Sequence, residues 1–447
     1  AEGILRRHMR DYWQFYRREA PLLTYGLLLT LISSVGQTFL VSLFVPDFLE
    51  AFPLDEGSFG LLYSGATLTS GFLLPWVGKW LDRKPLHRFT VGVLALLAAA
   101  AFTVAGAWHV AVLGAGLLGV RLGGQGLSSH TALTAMGRYY RAARGKALSI
   151  SNLGFSLGEA TLPLLLTGAI AWIGWRWTWV GLGAAVALAA PLIVMLLRSS
   201  GVELDPREAI RRRGEEGDGR SGMGREGRET GAAPGGSEAE SSEGADGRRA
   251  DRHHTRRDVI TDPTFWCVVP AALLPAFWLT GFFLYQTGIA EAKGWSGALM
   301  ASAFVSFALV RVAFTLGTGE WVDRLSARVL FPLTVLPMGL GIGLLWALDW
   351  VWVAYVFMAL LGVTSGMNAS VKTALWAELY GTEHLGAIKS MLASLMVIST
   401  SAAPPVVGFA MEGGGLGVLL GAGVGTVVLG ALLAVWALTG GAAADGA

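Results

Sequence analysis

The chain has 447 residues, of which 53% are hydrophobic and only 15% are charged. A soluble protein typically carries about 25% charged residues, so this composition excludes an ordinary soluble domain. The formal net charge of +2 says little by itself, and the single cysteine, Cys267, excludes an internal disulfide and a cysteine-based metal cluster.

Apolar stretches of about 20 residues recur through both halves, and each is long enough to cross a bilayer. They indicate helices rather than barrel strands, because each is a continuous apolar run and not an alternating one. In the first half we predict spans over Leu22–Val45, Ser58–Trp80, Phe89–Ala107, Val110–Met136, Ala147–Ile173 and Thr178–Leu197. In the second half we predict spans over Thr264–Glu291, Ser296–Trp321, Val329–Leu348, Val351–Trp376, Ala387–Met411 and Leu416–Leu438.

Residues 199–258, between the two sets of spans, are rich in Gly, Glu, Arg and Ser and contain no aromatic residue. Such a segment cannot bury enough apolar area to offset its ordering entropy, so we expect a disordered linker. The predicted organisation is an N-terminal half over 1–198, a linker over 199–258 and a C-terminal half over 259–447. A plain tether and a regulatory or lipid-contacting role both remain open for the linker.

A motif between the second and third spans returns between the eighth and ninth. The two copies are Gly78-Lys79-Trp80-Leu81-Asp82-Arg83 and Gly319-Glu320-Trp321-Val322-Asp323-Arg324, which lie 241 residues apart. Gly145 and Gly386 keep this spacing, and so do Pro163 and Pro404. With six spans in each half, the second repeat starts on the same side as the first. The halves are therefore parallel repeats, related by an axis along the membrane normal.

Lysine and arginine concentrate in one set of loops, which includes 79–88, 138–146 and 198–258. The opposite loops carry acids such as Asp55 and Glu412, and their cationic exceptions are Arg176 and Lys293. By the positive-inside rule, we expect both termini and the central loop to be cytoplasmic and the protein to lie in the cell (inner) membrane.

At these motifs the chain resembles the major facilitator superfamily. The loop from Gly78 through Asp82 and Arg83 to Arg88 is similar to that family's signature loop, and Gly319, Asp323 and Arg324 form its degenerate copy. The resemblance implies an all-α polytopic fold of twelve transmembrane helices in two parallel six-helix repeats, which transports solutes by alternating access. It also implies that these loop residues form a gating latch on the cytoplasmic side. A structural turn with topogenic charge is the alternative.

Charged residues occur at membrane depth, where insertion scales put their cost at about 2.5–3.5 kcal/mol each. Arg311 lies near the middle of the eighth span and has no acid at i±3 or i±4. An unpaired guanidinium suits a carboxylate, so we predict that Arg311 binds substrate. A cation in the eighth helix also resembles the monocarboxylate and oxalate–formate carriers of the superfamily. Pairing with Glu159 or another acid, or lining a water cavity, remains open.

Arg121 and Gln125 in the fourth span lie on one helical face at i,i+4, which suits a polar cavity wall. They resemble the family's fourth-helix Arg…Gln-Gly signature, with one residue more between Arg and Gln. We predict substrate contacts for both, and a buried structural pair of Arg121 with Glu159 is the alternative. Further predicted substrate contacts are Gln37, Tyr285, Gln286 and Asn368.

Glu159 and His130 are the predicted proton-coupling groups, because a carboxyl and an imidazole can titrate when their surroundings change. For Glu159 the alternative is a permanent ion pair or a hydrogen-bonded neutral acid, and for His130 a structural role.

The sequence therefore predicts a secondary active transporter of a small organic anion, a monocarboxylate moved by proton symport. The alternatives are transport of a neutral or cationic solute, such as a drug or sugar, and a receptor or scaffold on the same fold. An enzyme is not expected, because Gly154-Phe155-Ser156-Leu157-Gly158 has the letters of a nucleophile elbow but lies inside a span, where its glycines favour helix packing. We expect no cofactor, no metal and no nucleic acid, and a monomer whose partners are the lipid bilayer and a small-molecule substrate.

Overall fold

The computed structural model of the protein describes residues 13–140, 143–201, 256–381 and 384–444. Within these residues the ordered elements are helices, and no strand is present. Nearly all of the predicted linker, residues 202–255, lies outside the described residues.

The described residues form twelve helical spans. In the N-terminal half they are α1 (Ala20–Gly36 with Thr38–Ala51), α2 (Glu56–Gly78), α3 (Leu86–Ala105), α4 (Val110–Tyr139), α5 (144–173) and α6 (175–199). In the C-terminal half they are α7 (Pro263–Leu284 with Gln286–Ala292), α8 (Gly297–Arg324), α9 (Ala327–Ala347), α10 (Trp352–Tyr380), α11 (385–414) and α12 (416–444).

The length and composition of these helices support the predicted membrane fold. Eight helical runs in the described residues are long and apolar enough to cross a membrane, and the bent pair that forms α1 raises the number to nine. Two of the eight runs hold two spans each, α5 with α6 and α11 with α12. The remaining span, α2, carries several serine, threonine and glycine residues among its apolar ones. The predicted twelve-helix, all-α fold is confirmed.

The repeat seen in the sequence persists in the backbone. Gly174 breaks the run between α5 and α6 with φ 75° and ψ 165°, and Gly415 breaks the run between α11 and α12 with φ 69° and ψ 174°. The two glycines lie 241 residues apart, as the motif copies do. A positive φ is accessible to glycine at little steric cost, so each repeat turns between its last two helices in the same way.

The two halves meet along two equivalent helix pairs, α2 with α11 and α5 with α8. Each pair joins the second helix of one half to the fifth helix of the other, as a two-fold arrangement requires. A Cβ atom on Gly60 of α2 would lie 2.6 Å from the carbonyl oxygen of Pro404 on α11. Small residues therefore permit the close approach of the halves.

Glycines also set the packing within each half. A Cβ atom on Gly154 would lie 2.1 Å from Thr30 Oγ1, and one on Gly158 would lie 2.2 Å from Ser34 Oγ. The Gly-x-Ser-x-Gly segment thus serves helix packing, and its partner is α1.

Exposed tryptophans mark the two edges of the apolar belt, where amphipathic rings favour the membrane–water interface. One edge, which we call the acidic face, carries Asp55 and Glu412, and its exposed tryptophans are Trp108, Trp172, Trp177, Trp346, Trp350 and Trp352. The other edge, the basic face, carries Lys79 and Arg88, and its exposed tryptophans are Trp13, Trp76, Trp80, Trp266, Trp321 and Trp436.

Two helices near the centre of the N-terminal half depart from the regular spans that we predicted. Helix α1 bends by 47° where its two parts join at Gln37. Helix α4 contains a π-helical segment, Arg121–Ser128. The two irregular segments pack closely against each other. A Cβ atom on Gly36 would lie 2.3 Å from the carbonyl oxygen of Val120 and 2.5 Å from the backbone nitrogen of Gln125.

Candidate functional site

An ion pair joins the two halves at mid-depth. Arg311 on α8 donates a hydrogen bond from Nη1 to Oε1 of Glu159 on α5. The Glu159 side chain is 9% exposed and that of Arg311 is 24% exposed, so the guanidinium is the less buried partner of the pair. The second carboxylate oxygen of Glu159 is buried and has no hydrogen-bond partner in the described part of the chain. The pair with Glu159, one of the alternatives for Arg311, is the arrangement in this structure.

Two glycines of α10 pack closely against the backbone of Arg311. On α10, a Cβ atom at Gly362 would lie 3.2 Å from the backbone nitrogen of Arg311, and one at Gly366 would lie 2.7 Å from its carbonyl oxygen. The backbone of α8 is therefore packed tightly on α10 at this level. The guanidinium also lies 5.8 Å from the ring centroid of Phe307, one turn earlier, at the outer limit of a cation–π contact.

Arg121 has a different environment, made of neutral groups of its own half. Its Nη1 donates to the carbonyl oxygen of Gly36 at 3.0 Å and to Thr38 Oγ1 at 3.3 Å, and its Nε donates to Thr67 Oγ1 at 3.2 Å. The guanidinium also lies 5.0 Å from the ring centroid of Tyr63. Its side chain is not paired with Glu159, so that alternative is not the one in this structure.

These contacts explain why the break in α1 is stable at membrane depth. A break in a transmembrane helix frees backbone groups, which must find partners because lipid offers none. Arg121 supplies a donor for the carbonyl of Gly36, directly beside the break at Gln37. Gln125 lies half-buried in the π-helical segment, where the i,i+4 relation to Arg121 of a regular α-helix does not hold.

A seal closes the acidic face between the halves. The backbone N–H of Gly57, in the first turn of α2, donates to Glu412 Oε1 at 2.7 Å. The Tyr285 hydroxyl lies 2.7 Å from the carbonyl oxygen of Glu56 and 3.0 Å from that of Pro404. Two of the predicted substrate contacts, Tyr285 and Gln286, lie in this seal. Tyr285 is only 1% exposed. Gln286 Nε2 donates to the carbonyl oxygen of Phe39 on α1, in the other half, at 3.2 Å.

The first turn of α2, which takes part in the seal, has its own cap. Asp55 accepts a hydrogen bond from the Ser58 backbone N–H at 2.8 Å, and Ser58 Oγ accepts one from the Asp55 backbone N–H at 2.9 Å. The Ser58 side chain and backbone N–H hold the pKa of the Asp55 carboxyl below its usual value. The cap therefore fixes the helix end that Glu412 contacts.

Towards the basic face, two polar side chains within spans are exposed, His130 on α4 and Thr373 on α10. Polar groups at membrane depth face the bundle interior or a water-filled cavity rather than lipid, so we infer a space between the halves here. We call this space the basic-face opening, with His130 and Thr373 on its walls. Asn368, five residues before Thr373 on α10, is half-buried, and its Oδ1 has no hydrogen-bond partner among the described residues. Hydrogen bonds that join the halves at the acidic face or near mid-depth include those of Gly57 with Glu412, Ser64 with Ser401, and Arg311 with Glu159.

The predicted latch residues lie at the basic face. Gly78 ends α2, and a Cβ atom there would lie 3.5 Å from His130 Nε2. Arg83, Arg88 and Arg324 are exposed. Gly319 lies in the last turns of α8, and the side chains of Asp82 and Asp323 are outside the described residues. The latch therefore stays a prediction.

Sequence reasoning missed several residues of the site. In the sequence, Glu412 is only an acid in a loop, and nothing there predicts its contact with the first turn of α2. The hydroxyl partners of Arg121 carry no sequence signal. The close approach of α10 to Arg311 had a signal, because Gly362 and Gly366 form a small-xxx-small pair, which favours helix packing.

The model of the Major Facilitator Superfamily matches residues 26–287 of the chain. Two solved structures of a bacterial homolog of the human lysosomal transporter Spinster are similar in fold. The inward-facing unoccupied one is 14% identical, covers 94% of this chain and 97% of its own, and has a TM-score of 0.62. The inward-facing occupied one is 15% identical, covers 95% and 96%, and has a TM-score of 0.61.

Identities this low show a common fold and nothing about cargo. No curated protein matches the sequence. The family match spans more than half of the chain and agrees with the twelve-helix architecture. The chain belongs to the major facilitator superfamily of membrane transporters.

Proposed function

We propose that this transporter moves a small organic anion together with a proton, and that Arg311 exchanges Glu159 for the carboxylate of the cargo. The observation that carries the proposal is the Arg311–Glu159 ion pair, which bridges the halves at mid-depth. It lies between a sealed acidic face and the basic-face opening.

Alternating access gives the pair its proposed role. The pair spans α5 and α8, which belong to different halves, so a rocking motion that separates these helices breaks it. Removing one partner of a buried pair leaves an uncompensated charge, which is strongly unfavourable. A carboxylate cargo on Arg311 and a proton on Glu159 would remove both uncompensated charges at once. One proton and one carboxylate per cycle is a symport.

The surrounding residues take supporting roles in this proposal. Arg121 fixes the break in α1 and the wall that α4 forms, through bonds confined to one half. His130 lies at the opening and would pass protons between water and the site. We place the basic face in the cytoplasm and the protein in the inner membrane, because the lysine and arginine bias favours that orientation. A monomer contains the whole proposed path.

A second candidate is transport of a neutral or cationic solute, with the ion pair serving only to hold the halves together. The observation that favours it is that Glu159 already neutralises Arg311. The two candidates differ in whether the guanidinium itself touches the cargo.

Uptake into proteoliposomes tests the proposal. The probes are lactate, oxalate, glucose and tetraphenylphosphonium, each at an acidic and at a neutral external pH. We expect uptake of a carboxylate that is faster at the acidic pH, and loss of that uptake in Arg311→Ala. Arg198→Ala, an exposed arginine at the end of α6, is the matched control and should transport normally. Full carboxylate uptake by Arg311→Ala, or uptake of the neutral or cationic probe alone, would refute the anion mechanism.

A further inference from the structure

A second cation lies at membrane depth, on the basic-face side of Arg311. Lys372 is on α10, six residues beyond Gly366, whose position is packed against the Arg311 carbonyl oxygen. Six residues of helix rise about 9 Å. Lys372 therefore lies between the ion pair and the basic face, and its side chain is half-buried.

The contacts of Lys372 do not compensate its charge. Its Nζ lies 3.5 Å from Met396 Sδ on α11, and no carboxylate of the described residues lies within ion-pair distance. A thioether sulfur is only a weak acceptor. An ammonium at membrane depth with such a partner needs an anion or water, and intramembrane charges are functional candidates by default.

The direction of the side chain excludes a simple escape to the lipid headgroups. Lys372 is eight residues before the end of α10 at Tyr380, about 12 Å by helix rise. Met396 is eleven residues into α11, about 16 Å from the same face. The ammonium therefore points sideways or deeper into the membrane, rather than towards the basic face.

The position of Met396 connects Lys372 to the space between the halves. Met396 is 37% exposed, and its neighbour Val397 contacts Gly71 of α2, where a Cβ atom would lie 2.8 Å from Val397 Cγ1. Lys372 thus lies beside the contact between α2 and α11, which belong to different halves. An anion that travels between Arg311 and the basic face passes this region.

We propose that Lys372 is a second anion-binding residue of the transport path, which holds the carboxylate of the cargo on the basic-face side of Arg311. The inference rests on the proposed function, since it requires an anionic cargo. It assigns that cargo two successive cationic contacts, Arg311 at mid-depth and Lys372 nearer the opening.

The test is proteoliposome uptake of lactate and succinate by the wild type and three variants. Lys372→Met keeps the unbranched stem and removes the charge, and Lys372→Arg keeps the charge. Lys389→Met, at an exposed position near the start of α11, is the matched control. We expect Lys372→Met to raise the KM roughly tenfold, because a hydrogen bond to a charged group is lost. Lys372→Arg and Lys389→Met should stay close to the wild type.

The outcomes separate this inference from the proposed function. A wild-type KM in Lys372→Met, combined with no uptake by Arg311→Ala, overturns the role of Lys372 and leaves the anion mechanism intact. No uptake of either anion by the wild type overturns both. A variant whose KM changes only when chloride is present, and not in chloride-free buffer, would show that Lys372 holds an inorganic anion, which also overturns the inference.

Discussion

Two arginines at membrane depth have opposite kinds of partner. Arg121 is bonded to a carbonyl and two hydroxyls of its own half. Arg311 is bonded to a carboxylate of the other half. A group whose partners move with it keeps its bonds during rocking, whereas a group paired across the interface must change its partner. The structure therefore favours a positioning role for Arg121, and for Arg311 a role in which it exchanges one partner for another.

The contacts of Arg121 predict that Arg121→Lys destabilises the protein. A lysine ammonium cannot reproduce the planar fork that reaches Gly36 and Thr67 together. Each lost hydrogen bond to a charged group costs about 1.5–3 kcal/mol. We expect a lower unfolding temperature of the purified variant in detergent, with Arg88→Lys, at an exposed position, unchanged. An unaltered unfolding temperature in Arg121→Lys would show that these bonds do not support the break in α1.

At the scale of helices, the seal at the acidic face is built from close backbone contacts. A Cβ atom at Gly408 of α11 would lie 2.5 Å from the carbonyl oxygen of Glu56 and 2.6 Å from the Tyr285 hydroxyl. These neighbours are a helix end and a buried side chain, which cannot shift at low cost. The seal therefore forms only while position 408 has no side chain.

This geometry predicts that Gly408→Ala weakens the seal. The readout is labelling of Ser42→Cys by a membrane-impermeant maleimide, in a background where Cys267→Ser removes the native thiol. Ser42 is fully buried, and its Oγ contacts Gln286 in the seal. We expect faster labelling when Gly408→Ala is added. Gly413→Ala is the control on the same helix, because a Cβ atom there meets nothing within 4 Å. Equal labelling with and without Gly408→Ala would contradict this account of the seal.

At the scale of the whole molecule, the twelve spans and the 241-residue repeat could be predicted from the sequence. Long apolar runs and a recurring motif are local signals, and the glycine breaks at 174 and 415 show the same repeat in the backbone. The partner of Arg311 could not be predicted, because Glu159 lies 152 residues away and only the packing of α5 on α8 brings the two together. The break in α1 was also missed, since its stability comes from Arg121 on another helix.

Orientation in the membrane is a separate prediction for the whole chain. Ser296 and Ser326 lie at opposite ends of α8, at the acidic and basic faces, and both are exposed. Each is changed to cysteine in the Cys267→Ser background and labelled in intact cells with an impermeant maleimide. We expect Ser296→Cys to react in intact cells and Ser326→Cys only after permeabilisation. The reverse pattern would place the basic face outside.

The neutral double variant Glu159→Gln with Arg311→Gln tests most directly whether Arg311 binds the cargo. It removes both charges of the pair together, so neither is left buried and unpaired. If Arg311 receives the carboxylate, the double variant should insert and fold but transport no carboxylate, whereas Glu159→Gln alone keeps carboxylate exchange and loses its pH dependence. Carboxylate uptake by the double variant at the wild-type rate would show that the pair is only structural.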